Sequence, residues 1–186
     1  MKPRRAGGRP GGAGPVPGKP PASSLLRRVR LVLLDVDGVL TDGGLLYSAS
    51  GEETKRFHVH DGLALVAALK AGLQVAVLSS RASAAVTRRM AELGVGLVHQ
   101  GVTDKAGALD ALRARLGLDV AAVAVMGDDL PDLAAMTRAG MALAPANAVA
   151  EVKRAAHWVA RRRGGDGAVR EAVEMLLKAR RAWPPR

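Results

Sequence analysis

Residues 31–42 read Leu-Val-Leu-Leu-Asp-Val-Asp-Gly-Val-Leu-Thr-Asp. Four apolar residues run into Asp35, and a second acid, Asp37, follows two positions later. Residues i and i+2 of an extended chain project to the same side, so the two carboxylates meet just past the apolar run. Two such charges repel each other unless a cation or a proton lies between them. An apolar run without polar alternation reads as a strand buried on both faces. The crevice beyond the carboxyl ends of such strands is where open α/β sheets bind ligands. The competing structural reading is an Asp-rich loop in which Asp37-Gly38 is an ordinary turn.

Other apolar runs end in the same way. Residues 73–78 lead into Ser79-Ser80-Arg81, and residues 120–126 into Gly127-Asp128-Asp129, with Asp132 close behind. Lys105 opens a helical stretch between them. In a parallel sheet all carboxyl ends face one way, so these clusters converge on one edge. Asp35, Asp37 and Asp128 offer oxygen ligands and no nitrogen or sulfur, a set that suits Mg²⁺. Ser79 and Lys105 supply a hydroxyl donor and a cation to a phosphate. Phosphoryl transfer needs charge neutralisation and in-line positioning above all. A carboxylate held beside the metal can attack phosphorus and form an aspartyl-phosphate. A second acid can protonate the leaving oxygen and then activate water. Structural roles compete for each member: Ser79 as a helix cap, Lys105 as a solvated helix residue, Asp129 and Asp132 as turn and capping residues. Gly-Asp-Asp also occurs in polymerases and Asp-X-Asp in glycosyltransferases, but a chain this short suits neither.

These residues need elements to hold them. Residues 25–30 lead into the first strand. Residues 45–47 and 53–59, around a turn at 48–51, read as an inserted β-hairpin. Asp61 is placed to N-cap a helix that Gly72 ends. A strand over 73–78, a helix over 83–93 closed by Gly94, a short strand over 95–98 and a helix over 104–116 follow. A strand over 120–126, a helix over 130–138 and a strand over 140–143 come next. A short helix near Val149, a strand near Trp158 and a last helix over 168–181 complete the chain. Strands alternating with helices imply an α/β, Rossmann-like, doubly wound parallel sheet with right-handed crossovers. The intervals from Asp42 to Ser79 and from Lys105 to Asp128 are too short for a cap domain.

The 186 residues suffice for one domain with a real core, assigned to residues 25–182. Residues 1–24, rich in Gly, Pro and Arg, read as a disordered tail, and residues 183–186 as a C-terminal tail. With one Phe, one Tyr and two Trp, the core must be Val, Leu and Ala. The absence of cysteine excludes disulfides and thiolate metal sites and is compatible with a cytoplasmic location. No apolar run reaches the length of a membrane span, and the first residues lack the apolar core of a secretory signal. Of the net charge of +11, Lys2, Arg4, Arg5, Arg9 and Lys19 supply five charges from the tail. Few aromatics and no recognisable motif argue against specific nucleic-acid binding. An anionic small substrate, or solubility, accounts for the charge.

Asp-X-Asp-Gly-Val-Leu-Thr-Asp, then Ser-X-Arg, then Lys, then Gly-Asp-Asp-X-X-Asp resembles the haloacid dehalogenase superfamily of phosphohydrolases. Gly51-Glu52-Glu53, Phe57-His58-Val59-His60-Asp61-Gly62 and Gly164-Gly165-Asp166-Gly167-Ala168-Val169-Arg170-Glu171 resemble, within it, the capless family of 3-deoxy-D-manno-octulosonate 8-phosphate phosphatases. The resemblance spans residues 29–180. It implies hydrolysis of that sugar-acid phosphate in lipopolysaccharide precursor synthesis, with Asp35 as nucleophile and Asp37 as general acid/base. It implies Mg²⁺ held by the Asp35 carboxylate, the Asp37 main-chain carbonyl and Asp128, with Ser79 and Lys105 on the phosphate. Arg81 and Arg89 would meet the sugar acid, and His58, Val59, His60, Asp61 and Gly62 would line the substrate site beside Asp37 and Lys105. Capless relatives form homotetramers in which hairpins pack together and a C-terminal tail reaches a neighbour's site. The Gly-rich run before Ala168 could give that reach, or Val169, Val173, Leu176 and Leu177 could pack the last helix on its own domain. The chain departs from the family at His60 and Val66, where basic residues are usual, and at Ser80, usually glycine. Those departures touch the sugar rather than the phosphate or metal. A phosphatase of another acidic sugar, of the nonulosonate 9-phosphate type, and a non-catalytic oligomeric binding module are the alternatives.

Overall fold

In a computed structural model, which describes residues 17–185, Leu31–Leu34 (β1) is the central strand of a six-stranded parallel sheet. All four of its residues are buried, as a strand covered on both faces requires. Gln74–Leu78 (β4) pairs on one side of it and Val123–Met126 (β6) on the other. Leu97–His99 (β5) lies outside β4; Met141–Ala144 (β7) and Trp158–Val159 (β8) extend the other flank. The order β5-β4-β1-β6-β7-β8 reverses direction at β1, so crevices open at the carboxyl ends of β1 and its neighbours. Leu46–Tyr47 (β2) and Glu53–Thr54 (β3) form a separate antiparallel hairpin after β1.

Helices cover both faces. Ser23–Arg28 (α1), Val59–Lys70 (α2) and Ala168–Ala179 (α7) build one layer. In α7 the residues Ala168, Val169, Ala172, Val173, Leu176 and Leu177 are fully buried, a helical stripe facing the sheet. On the other face Lys105–Arg115 (α4), Leu133–Thr137 (α5) and Ala150–Ala155 (α6) bury Leu109, Leu112, Met136 and Val152. Ala84–Glu92 (α3) adds Val86 and Met90 to the first core.

Several elements depart from their sequence reading. The expected tail through residue 24 falls mostly on residues 1–16, outside the described residues; α1 opens at Ser23 and seats Leu26 in the core. The second hairpin strand stops at Thr54, because α2 claims Val59 onward. Strand β5 starts two residues late, and Val120–Ala122 forms a 3-10 turn before β6. The N-cap of α2 is His58, whose ring accepts from the His60 amide, not Asp61. Asp61 is buried inside the first turn and caps another helix: its carboxylate accepts from the amides of Gly167 and Arg170 at the start of α7. Gly167 has no cap of its own, so Asp61 supplies the missing acceptor from a distance in sequence.

The Gly-rich run before Ala168 is not a free spacer. A Cβ on Gly164 would collide with the carbonyl of Gly38, and one on Gly165 with the backbone of Thr41. Glycine is required there because two backbones touch. The segment 164–167 therefore clamps the loop that follows Asp37. Beyond α7, Trp183 stacks under the Arg170 guanidinium, 4.4 Å from ring centroid to carbon, and stays on its own domain.

Candidate active site

Asp35 immediately follows β1, and its amide still bonds to the Met126 carbonyl. The chain then turns sharply: the amides of Val39, Leu40 and Thr41 all donate to the Val36 carbonyl. Gly38 completes that turn at φ 84°, where a Cβ would strike the Asp128 carboxylate. Asn147 bridges the same turn to the glycine clamp, donating to the Gly38 carbonyl (3.0 Å) and accepting from the Gly164 amide (2.6 Å).

Asp35, Asp37, Ser79, Arg81, Lys105 and Asp128 surround one cleft of about 310 Å³ at the carboxyl edge of the sheet. Ser79, two per cent exposed, follows β4, and its hydroxyl accepts from the Arg81 amide. Lys105 is the first residue of α4, whose N-cap Asp104 accepts from the Gly107 amide. It is buried rather than solvated: its ammonium lies 2.7 Å from Asp35 Oδ1 and 2.7 Å from Asp132 Oδ1. Asp132, which the sequence reading kept as a capping residue, is one. Its Oδ2 accepts from the amides of Asp128 and Asp129, forming a capping box with Asp129.

Asp35, Asp128 and Asp132 place carboxylate oxygens within 4.8 Å of one another. Three carboxylates face the single ammonium of Lys105, leaving two negative charges uncompensated. Burial first, then the neighbouring Asp132 carboxylate, pushes Asp35 up to about 6 against the pull of Lys105. Burial first, then Asp35 and Asp132, pushes Asp128 up to about 7. Burial works against the Lys105 ammonium, but Asp35 and Asp132 overcome it and raise its pKa. This surplus of hard oxygen charge fits a divalent cation such as Mg²⁺. Asp132 already spends both oxygens on Lys105 and two amides, so it braces the cluster, and Asp35 and Asp128 are the members better placed to offer an oxygen to a cation.

The remaining candidates lie elsewhere within one chain. His58 and His60 line a broader groove, about 960 Å³, beside Arg161, Arg162 and Arg170. Val59 is exposed, while Asp61 and Gly62 are buried. Arg89 packs against Gly62 and pairs with Glu92. The reason is geometric: the first turn of α2 faces α7 and the groove, not the acid cleft. Sequence reasoning missed Lys55 and Asn147. Lys55 gave no signal, because its partner Asp37 is 18 residues away on another element.

Among known proteins, a haloacid dehalogenase-like hydrolase family model matches residues 94–171. The 3-deoxy-D-manno-octulosonate 8-phosphate phosphatase KdsC of Haemophilus influenzae is 44% identical over 154 residues, covering 83% of this chain and 86% of the relative. The crystal structure of the phosphatase of that name from Moraxella catarrhalis, in complex with magnesium ion, phosphate ion and KDO, superposes with a TM-score of 0.85. It is 39% identical and matches 87% of this chain and 92% of its own. The cobalt-bound Haemophilus influenzae enzyme gives a TM-score of 0.83 at 41% identity, over 86% of this chain and 95% of its own.

Proposed function

This chain belongs to the 3-deoxy-D-manno-octulosonate 8-phosphate phosphatase family of haloacid dehalogenase-like hydrolases, and from that we propose that it hydrolyses this sugar-acid phosphate to the free octulosonate and phosphate. It is a phosphomonoesterase that uses Mg²⁺. The observation that carries the reading is the acid cluster of buried Asp35 and Asp132 and half-buried Asp128, with two charges unmet, set beside Ser79 and Lys105 at a strand-end crevice.

In this reading Asp35 attacks phosphorus and Asp37 gives a proton to the departing sugar oxygen. Asp37 then takes a proton from the water that opens the aspartyl-phosphate. Ser79 and Lys105 hold the phosphate oxygens, and Lys105 keeps the Asp35 carboxylate aimed. Asp35, Asp128 and the Asp37 main-chain carbonyl would hold Mg²⁺, which supplies charge neutralisation at the phosphate. Arg81, at the rim, suits the sugar carboxylate.

The cleft is open, and Leu45, Leu46 and Tyr47 of the neighbouring hairpin are exposed apolar residues. A homotetramer in which adjacent copies cover the cleft fits both features. In it, His58, Val59, His60, Asp61, Gly62 and Arg89 serve the sugar-binding side of a neighbour's site, the first three by contact and the others by shaping that segment. Action in the cytoplasm on a soluble sugar phosphate, with no specific nucleic-acid partner, completes the proposal; among the described residues no helix is long and apolar enough to cross a membrane. His60 and Val66 stand where the family resemblance implies cations, and that favours one second reading: another acidic sugar, of the nonulosonate 9-phosphate type.

Phosphate release from a panel of octulosonate 8-phosphate, nonulosonate 9-phosphate and neutral sugar phosphates, with Mg²⁺ or a chelator, tests this. Strong Mg²⁺-dependent preference for the octulosonate is expected. Preference for the nonulosonate would replace the substrate and keep the reaction.

A further inference from the structure

Lys55 directly follows β3, and its side chain is only 1% exposed. Its ammonium donates to Oδ1 of Asp37 and lies 3.2 Å from Oε1 of Glu53. Glu53 in turn pairs through Oε2 with the Arg81 guanidinium, whose Nε stands 3.9 Å from Oδ2 of Asp37. Charges alternate around a closed ring: Asp37, Lys55, Glu53, Arg81. A buried ammonium is costly unless paired, so these two carboxylates fix where Lys55 sits. Neither phosphate nor metal binding uses it.

We propose that Lys55 is a positioning residue for leaving-group protonation, selecting which oxygen of Asp37 exchanges a proton with the substrate. An ammonium has donors and no acceptor. Oδ1 therefore accepts from Lys55 whether the carboxyl is ionised or neutral, and Oδ2 is left to carry the proton. The same bond stops the carboxyl from rotating. This inference rests on the phosphatase reading. There the bond from Asp35 to phosphorus forms, and the bond from phosphorus to the sugar oxygen breaks. The electron pair stays on that oxygen, which takes the proton from Asp37 Oδ2. When water attacks the aspartyl-phosphate, its proton goes to Oδ2 as its oxygen bonds phosphorus, and Asp35 leaves as a carboxylate. Lys55 thus ties the hairpin to the chemical step.

A sugar alkoxide leaves only if protonated, whereas p-nitrophenolate leaves unaided. Lys55→Met is compared with wild type on octulosonate 8-phosphate and on p-nitrophenyl phosphate, at saturating Mg²⁺. The expected result is a fall of at least tenfold in the ratio of kcat/KM on the sugar ester to kcat/KM on the aryl ester, which reads the step that expels the leaving group, with partial recovery in Lys55→Arg. An unchanged ratio, whether both activities are kept or both are lost, overturns the proposal. Should Lys55→Met fail to fold, the double variant Lys55→Met with Glu53→Gln removes one of the two carboxylate charges left beside the methionine and reads the same ratio. If wild type releases phosphate from neither ester, the phosphatase reading falls and takes this inference with it.

Discussion

At the scale of single residues, the central fact is a charge imbalance: Asp35, Asp128 and Asp132 against one buried Lys105. Asp35→Asn should lower turnover by roughly 10⁴-fold, as loss of a covalent nucleophile does, while circular dichroism and oligomer size stay as in wild type. The imbalance also has a pH signature. Asp35 and Asp128 are raised to about 6 and about 7. Groups raised on folding favour the folded state at low pH, and that contribution is lost as pH rises through the folded values. Metal-free protein should therefore lose this contribution between about pH 4 and 7. In the proposed site Mg²⁺ would bind the ionised pair, so the Tm increase that Mg²⁺ produces should grow from pH 5.5 to pH 8, with protons released on binding. A Tm increase independent of pH would remove these carboxylates from the metal site. Asp35, Asp37, Ser79, Lys105 and Asp128 were legible in the sequence because each lies just past an apolar run or opens a helix beside one. Lys55, Asn147 and the brace formed by Asp132 were not: each acts through a partner remote in sequence, which no local pattern encodes.

At the scale of elements, the loop after β1 is held by contacts from far along the chain. Gly164 and Gly165 touch its backbone, Asn147 bonds it, and Asp61 caps the helix that follows the glycines. Asp61→Ala leaves two amides of the first turn of α7 without acceptors, costing about 1–3 kcal/mol; denaturant unfolding would show it as a lower midpoint at unchanged slope. Gly164→Ala should displace Gly38 and with it Asp37 and Asp128, lowering Mg²⁺ affinity along with turnover, which calorimetric titration checks. The parallel sheet and most helices were legible from apolar runs and their Gly or Asp punctuation. The role of Asp61 was misread, because a carboxylate near a helix start looks like that helix's own cap until the packing of α2 on α7 is known.

At the scale of the whole molecule, the acid cleft and the groove bearing His58 and His60 are separate on one chain, and the hairpin beside the cleft presents Leu46 and Tyr47 to solvent. Multi-angle light scattering should give a tetramer for wild type, and Leu46→Glu with Tyr47→Glu should shift it to smaller species with weaker substrate binding. A wild-type monomer with full activity would dismiss the assembly. Sequence could suggest this only through resemblance, since which surfaces meet depends on shape rather than on local pattern.

The most direct test of the account is the covalent step itself. Protein mixed with octulosonate 8-phosphate and Mg²⁺, quenched in acid during turnover and reduced with borohydride, is mapped by peptide mass spectrometry. An acyl phosphate on Asp35 would appear as homoserine at position 35, absent without substrate and absent in Asp35→Asn. Steady turnover with position 35 unmodified, or with the label on another carboxylate, would contradict the assignment of Asp35 as nucleophile.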